Sequence, residues 1–307
     1  MALRDATASR VAVIGAGAVG ASIAAMIHEA GMPVTLLANP ARAESLRVNG
    51  LSVNGRRYDL PVDGGDGSTY DLILVATKWI HLRQALPLIA SAAGTGGYVM
   101  SLLNGIRSEG AIADAGLRGR VIPAMILGID AVREDRRVTY LNRGTIHFGS
   151  APPEFPVPDR VLDAVASYFA AAGIPCDRSP DITRTLWWKL IINVGINQCS
   201  CVLRAPYGLF QRSDPARRLM TDAMREVVAI SRAEGTGLSD EDIDAWHETL
   251  GGLDPEGKTS MLQDVEAGRP TEVELFAGTV CDIADRHSVD VPVNRTLYRI
   301  IRAIEER

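Results

Sequence analysis

The stretch Val11-Ala12-Val13-Ile14-Gly15-Ala16-Gly17-Ala18-Val19-Gly20 decides how the first half of the chain is read. Its first four residues form a short apolar run cut off by glycine, as expected of a strand buried on both faces. A helical segment follows over 21–29, stopped by Gly31, and a second strand returns over 33–37. A G-x-G-x-x-G pattern alone is weak, because glycine-rich turns are common. Between a strand and a helix, with the next strand on schedule, it reads as a dinucleotide-binding turn. Gly15 then makes the tight turn, Gly17 lets a pyrophosphate approach the backbone, and Gly20 lets helix pack on strand. Ala16, Ala18 and Val19 complete the loop, and the helix N-terminus offers N–H groups to phosphate.

The end of the second strand bears on the choice of cofactor. A carboxylate there binds the ribose hydroxyls of NAD. This chain has Leu37-Ala38-Asn39-Pro40-Ala41-Arg42 instead. Nothing acidic repels a 2′-phosphate, Arg42 is placed to pair with one, and Asn39 lies beside it. NADP(H) is therefore the expected cofactor, the alternative being an Arg42 merely solvated on the next helix.

Further strands are expected over 71–76, 98–103 and 121–129. A small β-excursion is expected around Asn54-Gly55, and a hairpin-like addition pairs 138–141 with 145–149. A helix over 159–172 and a last strand ahead of Cys176 close the pattern. Lys78 and Asn104 fall just past strand ends, where a parallel sheet has its ligand crevice. Lys78 is read equally as a solvated loop lysine, and Asn104-Gly105 also suits a simple turn.

From about residue 181 the pattern becomes helical, with helices expected over 182–203, 214–234, 240–250, 257–266, 270–287 and 293–306. The fold class is α/β, with an N-terminal Rossmann-type dinucleotide-binding domain over 1–180 and an all-α C-terminal domain over 181–307. The helix around Thr185–Gln198 is apolar on almost every face, yet Lys189, Asn193 and Asn197 recur at i, i+4 and i+8. Three such groups in register point to a polar stripe facing a cleft, since buried polar groups need partners. Ser260 stands near a helix start, where an N-cap explains it as well as a ligand contact does. Glu272 follows Pro270 in a first turn, where a capping or dipole-favoured acid is the plain reading.

Composition narrows the field. With 307 residues, 47% hydrophobic and 22% charged, the chain is ordinary for a globular protein of two domains. A net charge of −5 without a basic stripe gives no nucleic-acid footprint. Four cysteines without C-x-x-C, and scattered histidines, suggest buried free thiols and no metal site. Residues 1–10 read as a polar disordered lead, and no stretch reads as a signal or membrane span. A cytoplasmic protein is expected.

Together these motifs resemble the ketopantoate reductase (2-dehydropantoate 2-reductase) family over nearly the whole length. They are Gly15–Gly20, Val75-Ala76-Thr77-Lys78, Asn104-Gly105, Lys189-x-x-x-Asn193-x-x-x-Asn197, Ser260-Met261-Leu262-Gln263-Asp264, Thr271-Glu272-Val273-Glu274 and Val291-Pro292-Val293-Asn294. The resemblance implies NADPH-dependent reduction of a 2-keto acid, as in pantothenate biosynthesis. It makes Lys189 the general acid and Glu272 its partner, which also helps to hold the cofactor. It places Asn104, Lys189, Asn193, Asn197 and Ser260 at the substrate, and Lys78, Asn104 and Ala131 at the cofactor. It implies a small-molecule substrate and is compatible with a homodimer; neither nucleic acid nor membrane is an expected partner.

Two positions depart from the family pattern. Tyr207 and Gly257 stand where substrate-contacting asparagines are usual, so discrimination between substrates is expected to differ. The same chemistry on another 2-keto or 3-hydroxy acid is therefore a second reading. A nucleotide-sensing protein without catalysis is a third, and related two-domain dehydrogenases fit the lysine–asparagine stripe less well.

Overall fold

A computed structural model describes residues 9–306. The chain divides into two compact units, one running to Leu103 and resuming over Ser108–Ile182, the other comprising Asn104–Arg107 and Thr183–Arg307. The short segment after residue 103, read above as part of the first domain, thus belongs with the helices.

The first unit opens with β1 (Val11–Ile14), α1 (Ala18–Glu29), β2 (Val34–Leu37), α2 (Pro40–Asn49), β3 (Leu51–Val53), β4 (Arg56–Tyr58) and β5 (Val62–Asp63). It continues through β6 (Leu72–Val75), α3 (Trp79–Ala93), β7 (Tyr98–Ser101), α4 (Ser108–Ile112), β8 (Val121–Ile122) and β9 (Ala124–Ile129). It ends with β10 (Val132–Glu134), β11 (Arg137–Thr139), β12 (Arg143–Phe148), α5 (Asp159–Ala171) and β13 (Cys176–Arg178). Six strands pair in parallel in the order β5-β2-β1-β6-β7-β8. Renumbered along this sheet alone, that is the doubly wound order 3-2-1-4-5-6, whose direction reverses between β1 and β6. The alternation of side chains is visible in β1: Val11 and Val13 enter one apolar cluster, Ala12 and Ile14 the other. Both faces of the strand are therefore buried, which is why it carries no polar residue.

The Asn54-Gly55 excursion forms as expected, β3 and β4 pairing antiparallel around two positive φ angles of 49° and 78°. Other expectations need correcting. The strand over 121–129 is interrupted at Pro123, which supplies no N–H, and its halves join different sheets. The hairpin between 138–141 and 145–149 does not form. Instead β11 pairs with β10 and β3, while β12 pairs with β9 and β13. The last strand begins at Cys176 rather than ending before it. Residues 1–8 of the expected disordered lead lie outside the described residues. Ser9 is buried, and the Arg10 backbone N–H donates to Asp71 at 2.8 Å. Helix α3 carries no clear start signal and contains Pro87, so the pattern hides it.

The second unit holds all but the first residue of α6 (Ile182–Ile192), a π turn over Asn193–Asn197, α7 (Gln198–Leu203), α8 (Tyr207–Arg212), α9 (Asp214–Ala233) and α10 (Asp240–Gly251). It continues with α11 (Ser260–Glu266), a second π turn over Glu274–Gly278, α12 (Thr279–His287) and α13 (Pro292–Glu305). The expected helix over 182–203 is thus continuous but bulged in the middle, and that over 270–287 starts only at 274. Close packing accompanies the first bulge. A Cβ on Gly195 would lie 2.5 Å from Met224 Cγ, so α9 approaches the π turn over bare backbone. Gln198 then links the two π turns. Its Nε2 donates to Val194 O at 2.9 Å and to Asn294 Oδ1 at 3.2 Å, and its Oε1 accepts from Ala277 N at 3.1 Å.

The cysteines are free, but only Cys199 and Cys201 are buried; Cys176 and Cys281 are half-buried. Among the described residues no helix is long and apolar enough to cross a membrane, and no acidic, His or Cys cluster could hold a metal.

Candidate active site

In the first unit the turn after β1 lies against the end of β6, on either side of the point where strand order reverses. A Cβ on Gly15, whose φ is +101°, would lie 2.5 Å from the Ala76 carbonyl carbon and 2.6 Å from Thr77 N. One on Gly20 would lie 2.0 Å from Gly15 O. Gly17 differs, since its nearest neighbour would be Ala76 O at 3.9 Å. Gly15 and Gly20 are therefore glycine for the sake of the fold, whereas Gly17 leaves open space over the backbone. Gly17 also N-caps α1 with no side-chain capping bond, and the first turn of α1 has no acid. The residues fit a dinucleotide pyrophosphate: open backbone, N–H groups at a helix start, and a favourable dipole.

The rest of the expected cofactor set in this unit is distributed around the same sheet. Asn39 caps α2, its Oδ1 accepting from Arg42 N at 2.9 Å. Lys78 is the N-cap residue of α3, and Ala131 is half-buried in the turn between β9 and β10. Asp63 lies level with Leu37 in register, but its carboxylate accepts from Tyr70 Oη at 2.8 Å and Gly65 N at 2.7 Å. It is held by its own loop. Arg133, which the sequence reading missed, donates from Nη1 to Ala16 O at 3.1 Å and so touches the glycine motif itself. The surrounding stretch Arg133-Glu134-Asp135-Arg136-Arg137 is a run of charges with no periodic pattern to mark it.

In the second unit the expected catalytic and substrate residues fall into two groups of contacts, Asn104 and Lys189 around Glu272, and Asn193 and Ser260 around Asn197. Asn104 donates to Glu272 Oε2 at 2.7 Å, although 168 residues separate them. Gly105 beside it has a φ of +82° and packs on Leu275, where a Cβ would come within 3.3 Å of the carbonyl oxygen. Glu272 is thus a hydrogen-bond acceptor for a distant amide, not merely a helix-start acid. Lys189 retains some exposed surface, but desolvation of its ammonium lowers its pKa from 10.5 to about 8, opposed by the negative charge of Glu272. This combination keeps a proton that can still leave near neutral pH.

Asn193 and Asn197 are buried within the first π turn, and Asn197 Nδ2 donates to Asn193 Oδ1 at 3.2 Å. Asn197 Nδ2 also lies 3.5 Å from Ser260 Oγ. Thr259, not Ser260, caps α11, its hydroxyl accepting from Leu262 N at 3.2 Å. The capping role is therefore filled, and the Ser260 hydroxyl is available elsewhere. Asn193 Nδ2 is buried without a hydrogen-bond partner among the described residues. An orphaned buried amide costs roughly 1–3 kcal/mol, and a ligand acceptor would remove that cost.

Comparison with known proteins gives this arrangement a family. A model described as "Ketopantoate reductase PanE/ApbA" matches residues 11–153, and one described as "Ketopantoate reductase PanE/ApbA C terminal" matches residues 181–305. The chain belongs to the ketopantoate reductase family. It is an NADP-dependent oxidoreductase acting on CH–OH groups. The 2-dehydropantoate 2-reductase of Archaeoglobus fulgidus is 27% identical over 301 residues, covering 96% of this chain and 98% of that one. A solved family ketopantoate reductase from Ralstonia eutropha is 27% identical with a TM-score of 0.83, covering 97% of this chain and 98% of that one. D-mandelate dehydrogenase, solved with NADH and anilino(oxo)acetate, has a TM-score of 0.87 at 22% identity, covering 97% of this chain and 98% of that one. That last likeness is one of fold.

Proposed function

We propose that the chain reduces a 2-keto acid to the 2-hydroxy acid with NADPH, and that 2-dehydropantoate (ketopantoate) is the leading substrate. The observation that carries this reading is the placement of Lys189, desolvated and in the charge field of Glu272, whose carboxylate Asn104 holds at 2.7 Å. When bound, NADPH supplies the hydride. Hydride addition at C2 breaks the carbonyl π bond and leaves its electron pair on oxygen as a developing alkoxide. Lys189 gives that oxygen a proton from Nζ and becomes a neutral amine, so charge does not accumulate. Before transfer, its positive charge favours the oxyanion in a site of low dielectric. Glu272 holds the lysine protonated until then, and Asn104 fixes the orientation of that carboxylate by its 2.7 Å bond. Asn193 Nδ2 offers a donor to the substrate's carboxylate or hydroxyl, and Ser260 Oγ lies next to the same pair of amides.

Relatives such as that of Archaeoglobus fulgidus bear the name 2-dehydropantoate 2-reductase, which supports ketopantoate. A second reading, another 2-keto acid, is favoured by Tyr207 and Gly257. Tyr207 N donates to Gly257 O at 3.0 Å, and a Cβ on Gly257 would lie 2.9 Å from the Tyr207 ring. The Tyr207 ring packs on bare backbone at Gly257 and neither position carries an amide, which weakens recognition of a substrate hydroxyl and suits an apolar substituent.

The experiment is optical measurement of NADPH oxidation with ketopantoate and a panel of branched, straight and aromatic 2-keto acids. The highest kcat/KM on ketopantoate supports the first reading. A preference for an apolar acid supports the second. Tight NADPH binding without turnover on any acid would overturn both.

A further inference from the structure

A pocket of the first unit is lined by Ala16, Arg42, Asn49, Leu51, Arg133 and Arg136, among others, and none of its lining residues is acidic. Its three arginines come from two distant stretches: Arg42 from α2, and Arg133 and Arg136 from β10 and the turn after it. We propose that Arg133 and Arg42 together clamp the 2′-phosphate of NADP(H), making the β10–β11 excursion a second determinant of coenzyme choice beside the end of β2. The proposal rests on the NADP reading of this unit.

Arg133 is held in place before any ligand arrives. Its Nε donates to Asp135 O at 2.8 Å and its Nη1 to Ala16 O at 3.1 Å. A guanidinium has five N–H groups, so three remain without a partner among the described residues. Arg42 has a backbone bond to Asn39 and no ion-pair partner for its guanidinium among the described residues. The acid next to it in sequence but one, Glu44, pairs with Arg47 at 3.7 Å. Arg133 thus faces a like charge with no ion-pair partner among the described residues to offset it. Burial first, and the charge of Arg42 second, hold its pKa below that of a free guanidinium.

Two like charges beside an open pocket are unfavourable alone and favourable around a phosphate, which guanidinium groups bind in a bidentate fashion. Arg136 has another task. It donates to Asn49 Oδ1 and so straps the excursion to α2, fixing the distance across which the clamp works. The excursion is also pinned from the other side, where Asn54 Oδ1 accepts from Tyr140 N at 2.9 Å. Because Arg133 touches Ala16 within the glycine motif, its free donors lie where the adenosine end of a dinucleotide is held.

The test is calorimetric binding of 2′,5′-ADP and 5′-ADP to the full chain and to Arg133→Met, Arg42→Met and Arg133→Lys. The expected result is that Arg133→Met weakens 2′,5′-ADP about 10- to 100-fold, the range for a lost charge-assisted bond. Its effect on 5′-ADP stays below about threefold, and added salt erodes the wild-type preference. Arg42→Met shows the same selectivity. Equal losses for both nucleotides with Arg133→Met would make Arg133 a support for the loop or a stacking partner for adenine, unless Arg133→Lys, which keeps the charge, restores the 2′-phosphate preference. No loss for either nucleotide would overturn the proposal outright. If the wild type itself fails to prefer 2′,5′-ADP, the NADP reading falls; if it prefers it and Arg133→Met keeps the preference, only this inference falls.

Discussion

The turn after β1 and the π turn in the middle of the long helical run use side chains in opposite ways. In the first, side chains are removed: Gly15 and Gly20 are glycine because Ala76, Thr77 and the turn's own carbonyl occupy the space of a Cβ. In the second, polar side chains are gathered where the helix is otherwise apolar, and one of them, Asn193 Nδ2, lacks a partner among the described residues. Backbone recognition tolerates little variation in the chain and gives a generic grip on phosphates. Side-chain recognition leaves the fold alone and sets what is bound. The comparison predicts that mutations at Gly15 and Gly20 act on folding and coenzyme together, while those at the asparagines of the π turn act chiefly on substrate.

The largest effect is expected at Gly20. Gly20→Ala places a Cβ 2.0 Å from the backbone oxygen of Gly15 and 3.0 Å from Ala76 Cβ, so the turn cannot close. Melting temperature and NADP+ titration are both expected to collapse. Gly17→Ala sharpens the contrast, because its Cβ meets nothing closer than 3.9 Å. There the melting temperature is expected to hold while NADP+ affinity falls; unchanged affinity would mean that no phosphate approaches Gly17.

Next comes the pH dependence of turnover. With Lys189 as the proposed proton donor, kcat is expected to be flat below about 8 and to fall above it, by about tenfold per pH unit. Glu272 raises that pKa, so Glu272→Gln is expected to shift the inflection to lower pH. A pH–rate series on both proteins checks this, and an unmoved inflection would remove Glu272 from the charge balance.

The smallest change in stability is expected at Asn193. Asn193→Ala removes an unsatisfied amide along with the acceptor for Asn197, so unfolding free energy is expected to move by no more than about 1 kcal/mol. KM is expected to rise roughly tenfold with coenzyme affinity unchanged, since one hydrogen bond to substrate is lost. Calorimetric stability with a steady-state KM measures both. A stability change without a KM change would make Asn193 a structural residue.

The same contrast explains what could be read in the sequence. Glycines at fixed spacing between a strand and a helix reflect local backbone geometry, so the first sheet and its turn were legible. The Lys189–Asn193–Asn197 stripe was legible as a stripe, but the π turn was not, because Gly195 bulges against Met224 of α9, a contact outside the local pattern. Asn104 and Glu272 were each marked by the family resemblance, while their bond joins residues far apart in the chain. Tertiary pairing also undid the expected hairpin, since β11 and β12 each found partners in other sheets. Arg133 left no signal, as an arginine in a run of charged residues looks solvated until the fold brings it to Ala16.

The most direct test of the central claim is single-turnover NADPH oxidation by Lys189→Ala beside the wild type, with the best 2-keto acid of the panel and coenzyme affinity measured on the same samples. The account requires the hydride-transfer rate to fall by about 10²- to 10⁴-fold, the usual worth of a placed general acid, while NADPH affinity stays within about threefold. Wild-type turnover in Lys189→Ala would contradict it.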